Sequence, residues 1–163
     1  MKYGFSLVEV LVSLVIISLA LVAWTSNFAV GARGSYRAER DTASIFLTQA
    51  MIEEIRRVSF QDPNQTPVFG LESAEATTPP TRLNFDDIDD YNNWTESPPQ
   101  KKDGITITGF SGYTRSVNVI NVSTGNFNQT ATQGSTDFKK ATVSVSKDGI
   151  KATEMSTVFI KAY

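Results

Sequence analysis

The sequence predicts an α+β protein: a long N-terminal helix, membrane-embedded over its first half, packed on a small antiparallel sheet of about four strands. Three observations predict it. No charged residue stands between Val10 and Ala32, and most of that run is Val, Leu, Ile and Ala. No proline precedes Pro63. Beyond about residue 104, β-branched residues alternate with polar ones.

The run Val10–Ala32 is long enough to cross a hydrocarbon core, which takes about 20 helical residues. Residues 5–57 hold only Gly31 and Gly34 as glycines and read as one helix, bent near that pair if anywhere. The first half is apolar all round, as a lipid-embedded helix must be. In the second half Ala43, Phe46, Leu47 and Ala50 fall on one side, and Ile45, Ile52 and Ile55 on another. Two apolar faces suggest two partners, the chain's own sheet and a neighbouring helix; burial on most sides within one domain is the plainer reading.

Residues 58–103 hold all six prolines and read as a long irregular connection. They carry three basic and nine acidic side chains, a net −6, against six basic and three acidic, a net +3, in 104–163. A first short strand is expected over Ile105, Ile107 and Phe110, and a second over Ser116–Asn121. Residues 121–137, rich in Asn, Thr, Ser, Gln and Gly, read as a flexible loop. Ala141, Val143 and Val145 alternate with Thr142, Ser144 and Ser146 as a half-buried strand. Asp148-Gly149 predicts a tight hairpin turn into a last strand from about Lys151 to Lys161.

The composition narrows function. There are no cysteines and no histidines, which excludes thiol nucleophiles, disulfides and Cys/His zinc sites. It also removes the usual acid–base side chain near neutral pH. With a net charge of −2 there is no global basic field for nucleic acid, and Lys139, Lys140, Lys147, Lys151 and Lys161 are too scattered for a nucleic-acid site.

Gly4-Phe5-Ser6-Leu7-Val8-Glu9 opens the apolar run. A secretory signal would be cut near the small residues Ala20–Ala23. A plain membrane anchor has no use for Glu9, since a charged side chain costs about 3 kcal/mol at the centre of a membrane helix and less near the interface. Snorkelling of Glu9 toward the interface near Lys2 is the alternative to a partner.

A short basic leader ending in glycine, an aromatic residue, a glutamate four residues on and a continuous apolar helix resemble the class III signal of type IV prepilins and type II secretion pseudopilins. Met1–Gly4 matches the leader, Phe5 the first mature residue and Glu9 the glutamate. The resemblance implies that prepilin peptidase cuts between Gly4 and Phe5 and methylates the amine of Phe5. It also implies that Glu9 pairs with the Phe5 amine of a neighbouring subunit during assembly. The run Asn84–Trp94, then Ser97-Pro98-Pro99, and the stretch Tyr113–Val119 resemble minor pilins of the PilV-like and mannose-sensitive haemagglutinin groups. Major pilins usually carry a proline where Ser26 stands and a C-terminal disulfide loop; this sequence has neither, which favours a minor subunit.

Asp86, Asp87, Asp89 and Asp90 place four carboxylates within five residues. Calcium takes six to eight oxygen ligands, and some pseudopilins bind calcium in a loop beside the sheet, so these four are candidate ligands. The run lacks the glycine and distal glutamate of an EF-hand loop, and aspartates also cap helices and form turns. Paired carboxylates alone do not make a glycosidase, and no surrounding motif suggests an active site, so no enzyme and no other cofactor is expected. Tyr113 and Arg115 offer either a ligand patch or cross-strand packing.

The expected organisation is a leader over 1–4, an assembly helix over 5–32, its amphipathic continuation over 33–57, an acidic loop over 58–103 and a sheet region over 104–163. The resemblance implies a minor pilin working with prepilin peptidase and other pilins. It would be single-pass in the inner membrane with a periplasmic C-terminal domain, then part of a pilus. A type II secretion pseudopilin, or an envelope-anchored binding module that never enters a fibre, are the alternatives.

Overall fold

The computed structural model describes residues 4, 6–63, 66 and 68–162. The chain divides into two compact units, Met1–Glu39 and Arg40–Tyr163. One helix, α1 (Leu7–Ile55, 49 residues), runs through both.

Within the first unit the apolar side chains of α1, Leu7 to Val30, are exposed. Its polar side chains are managed locally. Ser13, Ser18 and Ser26 donate their hydroxyls to the carbonyls of Glu9, Leu14 and Val22, four residues back. Thr25 donates to Val22, three residues back. Such back-bonding satisfies these four hydroxyls along the helix, as an apolar surrounding requires. By length and composition the helix can cross a membrane, and none of its most apolar stretch is buried within the chain. That fits the single-pass anchoring typical of pilins.

In the second unit α1 buries Ser44, Leu47, Thr48, Met51, Ile52 and Ile55. Their spacing of three and four residues makes one stripe that draws on both expected faces, Leu47 from one and Ile52 and Ile55 from the other, while Ile45, Phe46 and Ala50 remain exposed. Ser44 and Thr48 enter the stripe because each hydroxyl is satisfied along the helix, on Arg40 and Ser44 carbonyls. α1 ends at Ile55, two residues before the expected end at Arg57.

Five antiparallel strands form the sheet: β1 (Thr95–Glu96), β2 (Tyr113–Ser123), β3 (Asn126–Thr130), β4 (Phe138–Lys147) and β5 (Ile150–Ile160). Their order is β1-β2-β4-β5, with β3 paired to the end of β2. On the β2–β4 pair, Val117 faces Val143 and Val119 faces Ala141. These buried residues meet Met51, Ile52 and Ile55 of α1 and Phe85, Ile88 and Tyr91 of the connecting segment in one core. Phe85 sits edge-on to both Tyr91, at 5.0 Å between centroids, and Trp94, at 5.5 Å. A second cluster joins Leu47, Tyr113 and Val145.

The β4–β5 hairpin turns at Asp148-Gly149, whose φ angles of 51° and 79° are the left-handed pair that a two-residue turn requires. Two expectations from the sequence need correction. The segment around Ile105–Phe110 is not a strand: Ile107 donates its amide to Pro99, and Lys101 to Ile105, so the segment folds back on 99–101 with Ile105 exposed. Glycines at 104 and 109, with φ of 85° and 87°, allow the reversals on either side. The stretch 121–137 is more ordered than a flexible loop. β2 continues through it to Ser123, β3 follows, and the buried Asn121 amide donates to the Thr136 and Phe138 carbonyls while accepting from Gly134.

Candidate functional site

The N-terminal site begins at Gly4, beside which a Cβ would meet nothing within 4 Å. The Ser6 carbonyl accepts the first helical bond, from Val10 at 3.2 Å. Glu9 lies exposed in the first turn, where a negative charge also suits the positive end of the helix dipole. Phe5 lies outside the described residues, as do the geometry of its amine and its pairing with Glu9.

The second unit carries a buried ionic lattice that the sequence reading missed. Arg82 is fully buried and Arg115 is 2% exposed. Arg82 donates to Glu54 on α1 at 2.8 and 3.2 Å, to Glu96 on β1, and to the Gln100 carbonyl at 2.9 Å. Arg115 donates to the other oxygen of Glu96 at 2.6 Å, to the Gln100 carbonyl at 2.8 Å and to the Leu47 carbonyl of α1 at 3.0 Å. Tyr91 and Trp94 add hydrogen bonds to Glu54 and Glu96. Burial pulls the Arg115 guanidinium below its usual range, opposed by Glu96. Burial also pulls on Arg82, but Glu54 and Glu96 outweigh it and hold that guanidinium above its usual range. Two cations and two anions thus tie helix, connecting segment, β1 and β2 together. Arg115 is accordingly neither a free ligand patch nor simple cross-strand packing.

The four aspartates do not converge on one centre. Asp89 pairs with the buried Lys139 and accepts the Gly70 amide at 3.2 Å. Asp87 accepts the Asp89 and Asp90 amides through Oδ1. Its Oδ2 is buried with no hydrogen-bond partner, and burial with Asp89 nearby pushes the carboxyl up to about 8. Asp90 accepts the Asp86 and Asp87 amides at 2.9 and 3.0 Å. Beyond those bonds, Asp90 meets Glu72 and Glu75, and Asp86 meets Asp62 and Glu75, each trio holding its carboxylate oxygens within 4.8 Å of one another. Glu72, Glu75 and Asp62 lie up to 24 residues before Asp86, so only the carboxylate excess of 58–103 could have pointed to them.

Residues 1–25 match the family model described as the prokaryotic N-terminal methylation motif. No match to the chain was found among the curated proteins or among the solved structures. The motif is consistent with a class III signal, and it supports a type IV pilin-like chain processed by prepilin peptidase and assembled with other pilins. The helix on an antiparallel sheet agrees with that class, and motif and fold together suggest a structural subunit.

Proposed function

We propose that this chain is a minor type IV pilin. Prepilin peptidase cleaves it between Gly4 and Phe5 and methylates Phe5, and α1 then carries it from the inner membrane into a pilus or its initiation complex. The observation that carries this reading is the methylation motif running directly into a helix whose apolar surface is uncovered. Leaving lipid for a helical bundle exchanges one apolar contact for another. The Glu9 carboxylate then meets the charged amine of a neighbouring Phe5, and because unpaired charge is costly in that surrounding, the pair fixes register.

The minor-subunit reading is supported by Ser26, which bonds back to Val22 within an unbroken α1, and by the absence of cysteine. The test is recovery from sheared fibres. The chain should appear there, below the amount of the major subunit, and should be missing from fibres of a prepilin peptidase mutant. Absence from fibres, with loss of protein export on deletion, would assign it to a secretion pseudopilus instead. Absence from both would leave an anchored binding module.

A further inference from the structure

The apolar run of α1 gives way to charge within one turn. With Glu9 at one boundary of a hydrocarbon core about 30 Å thick, the other boundary falls near Ala29 and Val30, at about 1.5 Å of rise per residue. Arg33 then stands about 5 Å beyond that boundary and Arg37 about 11 Å beyond it. Helical side chains lean toward the helix N-terminus, so both guanidiniums reach back into the headgroup layer, which adds about 5–7 Å to each side of the core. Arg33, Tyr36 and Arg37 fall within about 100° of arc and make one exposed face. Tyr36, 61% exposed, is the kind of aromatic residue enriched at membrane–water interfaces.

Neither guanidinium is used within the chain. Among the described residues no ion pair or side-chain hydrogen bond involves Arg33 or Arg37. Arg33 has Ala29 and Val30 one turn before it and Tyr36 and Arg37 one turn after it, so no carboxylate stands at pairing distance along the helix. Asp41, one turn after Arg37, is held by Arg40, whose Nε and Nη2 donate to its Oδ1 at 3.0 and 2.8 Å. Glu39 stands about 160° round the helix from Arg37. Like charges four residues apart repel unless an anion lies between them. The pair also runs against the usual charge bias of membrane proteins. Basic residues favour the cytoplasmic side, yet the leader side holds Lys2 alone and residues 33–40 hold three arginines. Orientation is therefore not what these arginines serve.

We propose that Arg33 and Arg37, with Tyr36 between them, clamp the phosphate of an anionic phospholipid headgroup at the periplasmic face of the membrane. The clamp deepens the proposed function and rests on its membrane-anchored stage. Planar guanidinium forks match phosphate oxygens, and two of them one turn apart can share one headgroup. A phosphatidylglycerol headgroup, with its net negative charge, suits the pair; the cationic choline of phosphatidylcholine meets two like charges. Entry into a fibre has to strip the phosphate away, so the clamp opposes extraction until neighbouring subunits replace the contact.

The test is native mass spectrometry of the full chain in a non-ionic detergent, with dioleoyl-phosphatidylglycerol or dioleoyl-phosphatidylcholine added. An arginine near an anionic surface contributes roughly fivefold in affinity, so the pair should favour phosphatidylglycerol by about 25-fold. The double variant Arg33→Gln/Arg37→Gln keeps good helix formers at exposed positions and should fold; its preference should drop below about threefold. Sodium phosphate at about 10 mM should leave the lipid bound. No preference in the parent chain would overturn the proposal, and so would a preference that the double variant keeps. Displacement of the lipid by sodium phosphate would mean a site for free phosphate and would overturn it as well. The assay involves neither peptidase nor fibre: absence of the chain from fibres would leave the clamp standing, and a missing lipid preference would leave the pilin assignment standing.

Discussion

Arg115, near the start of β2, donates from Nη1 to the backbone carbonyl of Leu47 on α1 at 3.0 Å, across 68 residues of chain. A charged donor on a helix carbonyl fixes the sheet's position on the helix more sharply than apolar packing alone, because it also holds Glu96 and the Gln100 carbonyl. Removing one member of a buried ion network leaves its partner uncompensated. Arg115→Ala should therefore lower stability by about 3–5 kcal/mol in denaturant titration of the detergent-solubilised chain. Arg115→Lys should recover little, since an ammonium cannot reproduce the planar fork that reaches three acceptors. A loss below about 1 kcal/mol would remove the lattice from the account of the fold.

The hairpin makes a smaller prediction. Gly149 sits at φ 79° with no atom near a prospective Cβ, so Gly149→Ala probes backbone strain alone. It should cost about 1–2 kcal/mol in the same titration. Gly112→Ala, at an equally left-handed φ of 76°, should cost a similar amount, because the atom nearest its Cβ is the end of the exposed Asp148 side chain, which can turn aside.

How much could be read beforehand differs from element to element. The absence of proline before Pro63, the alternation around Val143 and the Asp148-Gly149 pair each announce their structure through local chemistry, and the structure follows them. The buried face of α1 was hidden because Ser44 and Thr48 interrupt it, while the exposed Ile45 and Phe46 mimic a face. The lattice was hidden for a different reason. Glu54 and Arg82 lie 28 residues apart, and Glu96 and Arg115 lie 19 apart, so only the fold brings them together. One signal was available: Arg82 is the only basic residue between Val58 and Gln100, in a stretch crowded with carboxylates. The N-terminal methylation motif, by contrast, is a linear pattern and is legible in sequence. Glu72 and Glu75 are ordinary acidic residues until the loop closes on them.

Asp87 predicts a pH dependence. Its folded pKa is raised from 3.8 to about 8, so the folded state holds a proton that the unfolded state has lost across that interval. Its contribution to stability is fully present below about 3.8, and it is lost as pH rises through about 8. In chelator, the melting temperature of the parent chain should fall between pH 5 and 8.5. Asp87→Asn keeps the acceptor for the Asp89 and Asp90 amides and removes the titrating group, so it should flatten that fall. An unchanged slope in Asp87→Asn would show that Asp87 is not its source.

The proposed role of Glu9 lies in assembly and not in cleavage. On the proposed function, Glu9→Ala should still be cleaved after Gly4, yet its entry into fibres or its methylation should be impaired. Quantifying the chain in sheared fibres and in membranes gives both answers. Normal fibre content of Glu9→Ala would remove the charge pair from the assembly step.

The central claim is that the N-terminus is a processed pilin signal. It is tested most directly by the intact mass and N-terminal sequence of the protein from native membranes, with and without prepilin peptidase. The account predicts a chain that begins at Phe5 and carries one added methyl group, only when the peptidase is present. A retained Met1–Gly4 in cells that contain the enzyme would contradict it, and so would a start beyond Ala23, which would discard the helix on which assembly depends.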